Sequence, residues 1–239
     1  MNVIHIFRYC LLLTLLCVAN ACFAGIQVGA TRVIYPASDR EASVQVRNEG
    51  AKDTLIQSWI EAAPGQPENA VPFAITPSLA RLSYKKQQTL RIFYQGKGLS
   101  GDRESVFWLS IQEIPQVSET ENNLQVAFRQ RLKMFYRPAG LPGTPEDAAD
   151  RIKWNVLDVS GTPMLMANNA SAFHVSFSEV KLIVDDKEYS VDAEMLAPDS
   201  VSKMKIKNFS AVHGINAKVQ WDSINDYGAI VKHQSDLAL

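Results

Sequence analysis

From residue 124 to residue 138 the chain reads LQVAFRQRLKMFYRP, and its polarity alternates with a period of two. Leu124, Val126, Phe128, Leu132, Met134 and Tyr136 share one parity, broken only by Gln130. Gln125, Arg129, Arg131, Lys133 and Arg137 occupy the other. Such alternation marks a strand with one buried face. A strand over 124–138 would span roughly 50 Å, whereas typical strands use about 5–6 residues. The pattern therefore predicts more apolar strand face than an ordinary core consumes.

The same period recurs upstream in TRVIYP (31–36), ASVQVRN (42–48), TLIQSWIEA (54–62), QTLRIFYQ (88–95) and SVFWLSIQEIP (105–115). These stretches are rich in β-branched and aromatic residues and predict strands. Breakers separate them: Asn48-Glu49-Gly50, Pro64-Gly65 and Gly96-Lys97-Gly98. Short strands with polar turns and no long helical period predict a β-sandwich, and their uneven spacing disfavours a barrel. Then Pro138, Pro142 and Pro145 crowd together with Gly140 and Gly143. Thr144 as N-cap, Pro145 at the first helical position and Asp147 completing a capping-box pattern predict a short helix after a stiff linker. A domain boundary is expected near residue 142. Beyond it AFHVSFSEV (172–180), KLIVDD (181–186), KEYSVDAEML (187–196), SKMKIKN (202–208) and INAKVQWDSI (215–224) predict a second, smaller sandwich, with a turn at Asp185-Asp186-Lys187.

The composition, 46% hydrophobic and 21% charged, is that of a globular protein, and the net charge of -1 gives no case for nucleic acid. Residues 1–24 differ. They begin with one basic residue, Arg8, continue in an apolar run from Cys10 to Ala19, and end in small residues around Phe23. That is the form of a cleaved secretory signal peptide, with lipidation at Cys22 as the rival reading. All three cysteines, Cys10, Cys17 and Cys22, lie in this leader, so an exported mature chain would contain no disulfide. His174, His213 and His233 are isolated along the chain, and no zinc-ligand spacing, nucleophile elbow or glycine-rich phosphate loop occurs. No enzyme, metal or cofactor is predicted, although a triad assembled from distant residues stays open.

One block is specific. LSGDRESVFWLSIQEIP (99–115) resembles the signature of the periplasmic pilus chaperones of the chaperone–usher class, close to L-P-x-D-R-E-S-x-F-W-x-N-x-x-x-I-P. GATRVIYP (29–36), LIQSWIE (55–61), LKMFYRPAGL (132–141) and INDYGA (224–229) agree, and TPSLARL (76–82) agrees more loosely. Ser100, Ser110, Ala170 and Ala172 depart from the usual proline, asparagine and prolines. The resemblance implies an all-β chain of two immunoglobulin-like sandwiches, 25–142 and 143–239, set as a boomerang around an interdomain cleft. It implies an ATP-independent periplasmic chaperone that caps fimbrial subunits by lending them a strand and passes them to an outer-membrane usher. By the same resemblance Leu124, Val126 and Phe128 are the lent side chains, and Arg32 and Lys133 grip the subunit's terminal carboxylate. Glu104, Arg137 and Asp226 form a charged network between the domains. Lys133 has the opposite parity to the lent residues, so a bulge, twist or bend is expected between them. An edge this apolar also suggests self-capping by chaperone dimers. The short connection QVSETENN (116–123) resembles the short-loop subgroup. The competing reading is a secreted fimbrial subunit or adhesin. It is disfavoured by the missing disulfide and by Gly25 leading directly into a strand, and a sandwich hydrolase is the third reading.

Overall fold

The structure is a computed structural model that describes residues 25–64, 71–115, 124, 126–209 and 217–237. The predicted signal peptide with Cys10, Cys17 and Cys22, the connection 116–123 and His213 lie outside the described residues.

Among the described residues nine strands form the first domain: β1 (Ile26–Val28), β2 (Arg32–Pro36), β3 (Ala42–Asn48), β4 (Thr54–Ala62), β5 (Phe73–Thr76), β6 (Leu79–Leu82), β7 (Gln87–Tyr94), β8 (Ser105–Ile114) and β9 (Arg129–Arg137). They make one sheet in the order β1-β3-β7-β5 and another in the order β2-β9-β8-β4-β6. The period of two places Val44, Val46, Leu90 and Ile92 of the first sheet in one core with Phe107, Leu109, Ile111, Leu132 and Met134 of the second. Each such side chain, fully buried, contributes about 1.5–3 kcal/mol.

The linker ends in helix α1 (Pro145–Asp150), whose N-cap Thr144 accepts the Asp147 N–H at 3.1 Å, as the capping pattern predicted. Its Ala148 and Ala149 are buried, and Trp221 Nε1 donates to the Ala149 carbonyl at 3.1 Å, docking the helix onto the second core. Among the described residues seven strands follow: β10 (Lys153–Val159), β11 (Thr162–Asn169), β12 (Phe177–Val184), β13 (Lys187–Ser190), β14 (Ser200–Lys205), β15 (Ala217–Ile224) and β16 (Ile230–Leu237). The sheets are β10-β11-β14 and β13-β12-β15-β16. Leu165, Leu182, Leu196, Met204, Val219 and Trp221 fill the space between them. A third, small cluster of Ala63, Val106 and Phe135 takes in Met195 of the second domain and holds the two sandwiches together beside the cleft.

Four strand expectations need correction. Of KEYSVDAEML (187–196) only Lys187–Ser190, β13, is a strand, and Val191 and Leu196 make isolated bridges. β12 runs through the predicted break at 180/181, and 172–176 contributes only the isolated bridge Val175↔Leu196. Asp185 and Asp186 alone make the turn, both at positive φ, and Lys187 already pairs with Val184. Two central residues at positive φ are what a tight hairpin turn requires. The predicted strand 124–138 begins only at Arg129. The β8–β9 ladder ends at Gln112↔Arg129, followed by one bond from the Glu113 N–H to the Phe128 carbonyl at 3.0 Å. Alternation supplies a face, but without a neighbour for its main chain the described part of 124–128 is no sheet strand.

Candidate functional site

The first strand changes sheets early. β1 pairs with β3 up to Val28↔Val46, the Gly29 N–H still donates to Gln45 O at 2.9 Å, and β2 then joins the other sheet at Arg32↔Lys133. β2 runs parallel to β9 and covers its edge only from Lys133 to Arg137. Among the described residues the preceding part of β9 has β8 on one side and no strand on the other. Gln130, the polar break in the apolar parity, donates through Nε2 to the Ile26 carbonyl at 2.9 Å and closes the rim of the core against β1. Past that rim the same parity faces water: Leu124 is 85%, Val126 56% and Phe128 61% exposed. These three side chains are not part of the first core.

The β8–β9 register is unbroken from Arg129 to Tyr136, so no bulge separates Phe128 from Lys133. Of the expected bulge, twist or bend, the bulge is therefore absent, and parity alone sends Lys133 to the cleft, which lies on the opposite face of β9 from the core. Along that face the environment changes step by step. Arg129 stacks over Trp59 at 5.6 Å and Arg131 over Trp108 at 4.7 Å, with Glu61 within 3.3 Å of Arg131. Lys133 is half-buried, and Phe135 sits in the small cluster between the domains.

Arg32 and Lys133 are direct neighbours across the parallel pair. Arg32 Nη1 donates to the Ile224 carbonyl of the second domain at 2.7 Å, while its Nε is buried and has no hydrogen-bond partner among the described residues. Lys133 Nζ reaches Ser176 Oγ at 3.4 Å. Burial lowers the Arg32 pKa, partly countered by the Asp226 charge. Burial and then the Arg32 charge lower that of Lys133. Two adjacent, partly desolvated cations, one with an unsatisfied donor, suit an anion with several acceptor oxygens.

The third predicted group comes together as well. Arg137 donates from Nε to Glu104 Oε1 at 2.7 Å and holds Asp226 bidentately at 2.7 and 3.0 Å. Glu104, only 4% exposed, also accepts the His174 N–H at 2.8 Å and contacts its Nδ1 at 3.3 Å. Burial pulls the Arg137 pKa down, but the bonds to Asp226 and the Glu104 charge outweigh it, and the pKa is raised. The network joins the domains through residues up to 89 positions apart. The space beside it is lined by Arg32, Phe135, Arg137, Ser176, Ile224 and Asp226 among others.

Sequence reasoning missed Ser176, Ile224 and His174 at this site, whose roles depend on contacts across the domains. It also missed a Ser–His–Asp chain, with Ser223 Oγ and Asp150 Oδ1 each 2.7 Å from a His233 ring nitrogen. Ser223 lies inside β15 between β12 and β16, and the Ile224 N–H beside it is bonded to the Ser176 carbonyl at 2.9 Å. An acyl-transfer serine needs free donors for a developing oxyanion. Here the chain instead ties the end of α1 to the sheet, and His233 stacks on Trp221 at 5.3 Å. Among the described residues no group of three His, Cys, Asp or Glu is placed to hold a metal.

Comparison with known proteins gives this geometry a family. Residues 25–142 match the family model of the pili and flagellar-assembly chaperone PapD N-terminal domain, and 147–235 that of the pili assembly chaperone PapD C-terminal domain. The probable fimbrial chaperone YadV of Escherichia coli K12 is 34% identical over 233 residues, 94% of each chain. The solved YadV chaperone superposes with a TM-score of 0.79 at 35% identity, covering 90% of this chain and all of the other. A chain from the Salmonella enterica SafA pilin–SafB chaperone complex gives 0.75 at 27% identity, covering 92% and 99%. With both domains of its two-sandwich architecture matched in order, the chain belongs to the family of pilus-assembly chaperones, which are not enzymes.

Proposed function

We propose that the chain is an ATP-independent periplasmic chaperone, exported by a cleaved signal peptide, that caps fimbrial subunits by lending them the strand segment 124–128 and hands them to an outer-membrane usher. The domain boundary is assigned between residues 142 and 143. One observation carries this reading: an apolar, uncovered strand edge ends at two adjacent cations. A client strand added along the open edge of β9 must stop where β2 begins, at Arg32↔Lys133. If it runs parallel to β9, as β2 does, its last residue brings the terminal carboxylate to both cations. Its other side chains are then registered by the strand period. Leu124, Val126 and Phe128 would fill the client's groove, worth roughly 5–9 kcal/mol before ordering costs. The SafA pilin held by the SafB chaperone supports a pilin as client. The same exposed segment gives a free chaperone reason to self-cap as a dimer. Glu104, Arg137 and Asp226 set the angle at which the second domain closes the cleft.

The anchor is tested by Arg32→Ala and Lys133→Ala. Each is expected to melt as the unmodified protein does and to lose about 2–5 kcal/mol of subunit binding. A variant that melts normally and still shields its subunit from proteolysis would remove that residue from the anchor.

A pH titration separates the two cations. The charged form of Lys133 binds the carboxylate, so affinity should be full at neutral pH. It should fall as pH rises through the lowered Lys133 pKa, below the ordinary lysine value of about 10.4. Stability of the free protein runs oppositely. The folded state disfavours the charged form, so stability rises with pH between the lowered and the unfolded pKa. In Lys133→Arg the affinity loss should move to higher pH, and coincident profiles would exclude Lys133 as the titrating group.

A further inference from the structure

Gly228, in the hairpin between β15 and β16, lies against Thr31 of the first domain. A Cβ built on it would lie 2.2 Å from Thr31 Oγ1, 3.2 Å from Thr31 Cβ and 3.3 Å from Thr31 Cγ2. Rotating Thr31 about χ1 moves Oγ1 away but leaves its Cβ 3.2 Å from the added methyl group, so rotation alone leaves a tight contact that the hairpin or Thr31 must relieve by shifting. Gly228 also has φ +82°, a conformation that side chains disfavour. Thr31 immediately precedes Arg32, and the hairpin that carries Gly228 starts from Ile224, whose carbonyl holds Arg32 Nη1 at 2.7 Å. The same hairpin carries Asp226, bound to Arg137. The turn is internally fixed: Asn225 Oδ1 accepts the N–H groups of Tyr227 and Ala229 at 3.1 and 2.9 Å, and the Gly228 N–H donates to the Asn225 carbonyl at 3.0 Å. It therefore moves as a unit.

From this geometry we infer that Gly228 is a positioning residue for the carboxylate anchor. The absence of a side chain lets the hairpin rest on Thr31, and that contact sets the distance at which Ile224 orients Arg32 in the cleft. A methyl group there pushes the hairpin off Thr31, withdraws the Ile224 carbonyl and leaves the Arg32 guanidinium without its orienting bond. The inference rests on the anchoring role of Arg32 proposed above.

The test compares the unmodified full-length mature protein with Gly228→Ala, Thr31→Gly and the double variant. The probe is a synthetic peptide of alternating apolar residues, used with a free C-terminal carboxylate and as its amide. Small-angle scattering reports the interdomain angle on the same samples. The unmodified protein should prefer the acid over the amide by at least about tenfold, the scale of a charge-assisted contact. Gly228→Ala should lose most of that preference and open the angle, and the double variant should recover both, because Thr31→Gly removes every clashing atom. An unchanged preference and angle in Gly228→Ala overturns the inference. Loss without recovery in the double variant also overturns it, since the backbone at φ +82° and not the contact would then be responsible. If the unmodified protein does not distinguish acid from amide, the anchor itself falls. The angle alone then decides: opening in Gly228→Ala and return in the double variant uphold the contact, and an unchanged angle overturns it.

Discussion

Val126→Glu is expected to leave the thermal midpoint of the free protein near its original value while abolishing recovery of a subunit complex. Val126 is 56% exposed and lies beyond the Gln130 rim of the first core, so a carboxylate there remains hydrated in the free chain. In a client groove the same group would lose its water without a partner, at a cost of several kcal/mol. That is comparable to the whole contribution of the three lent side chains, so complex formation should fall below detection. The substitution is diagnostic because the alternative inverts it. A core strand given an unpaired buried charge loses several kcal/mol and drags the midpoint down. Calorimetry of the purified variant and its yield of subunit on co-expression are the two measurements. A collapsed midpoint would return the segment to the core, and a normal yield would show that the side chain enters no groove.

Arg137→Ala should have the largest effect on stability. Glu104 is 4% exposed and its Oε1 is held by Arg137 Nε, so removing the guanidinium strands a buried carboxylate that keeps, among the described residues, its contacts to His174. Breaking a buried pair from one side typically costs about 3–5 kcal/mol. For a chain of this size that corresponds to a fall in Tm on the order of 10 °C. Asp226→Asn makes a milder contrast. It keeps acceptor oxygen near Arg137 and leaves the Glu104 pair intact, so the melting loss should be smaller and the main change an altered interdomain angle. Melting curves and scattering profiles of both variants check this order. An Arg137→Ala protein that melts as the unmodified chain does would mean that Glu104 is not committed to the network.

Much of the fold was legible because strands, caps and breakers are short-range events. β3 and β4 coincide with ASVQVRN and TLIQSWIEA, and Thr144, Pro145 and Asp147 mark the start of α1. In each case the deciding interactions lie within a few residues. The strands without a stated expectation are those with weaker alternation or little length, such as β5 and β6, four residues each. Their place depends on which neighbour they find.

The candidate site divides along the same line. The apolar parity of Leu124, Val126 and Phe128 is a property of the sequence, and so is its interruption at Gln130. That the β9 edge leading up to Lys133 is left open is not, because it follows from the first strand crossing between sheets at 29–31, about a hundred positions away. Resemblance to a family nominated Arg32 and Lys133, but nothing local says that they face each other across a parallel pair. Nor does anything local say that Arg32 is held by a carbonyl 192 residues further on. The opposite parity of Lys133 suggests a bulge, twist or bend because parity specifies two faces without saying what lies against each. Only the second domain, packed through Phe135, Met195 and the Arg137 network, makes the outer face of β9 into a cleft wall. Periodicity is written in neighbouring residues, and the sequence alone determined it. Which edge stays open and which charges meet depend on chain crossings and domain contacts that no local pattern encodes, and these the tertiary structure decided.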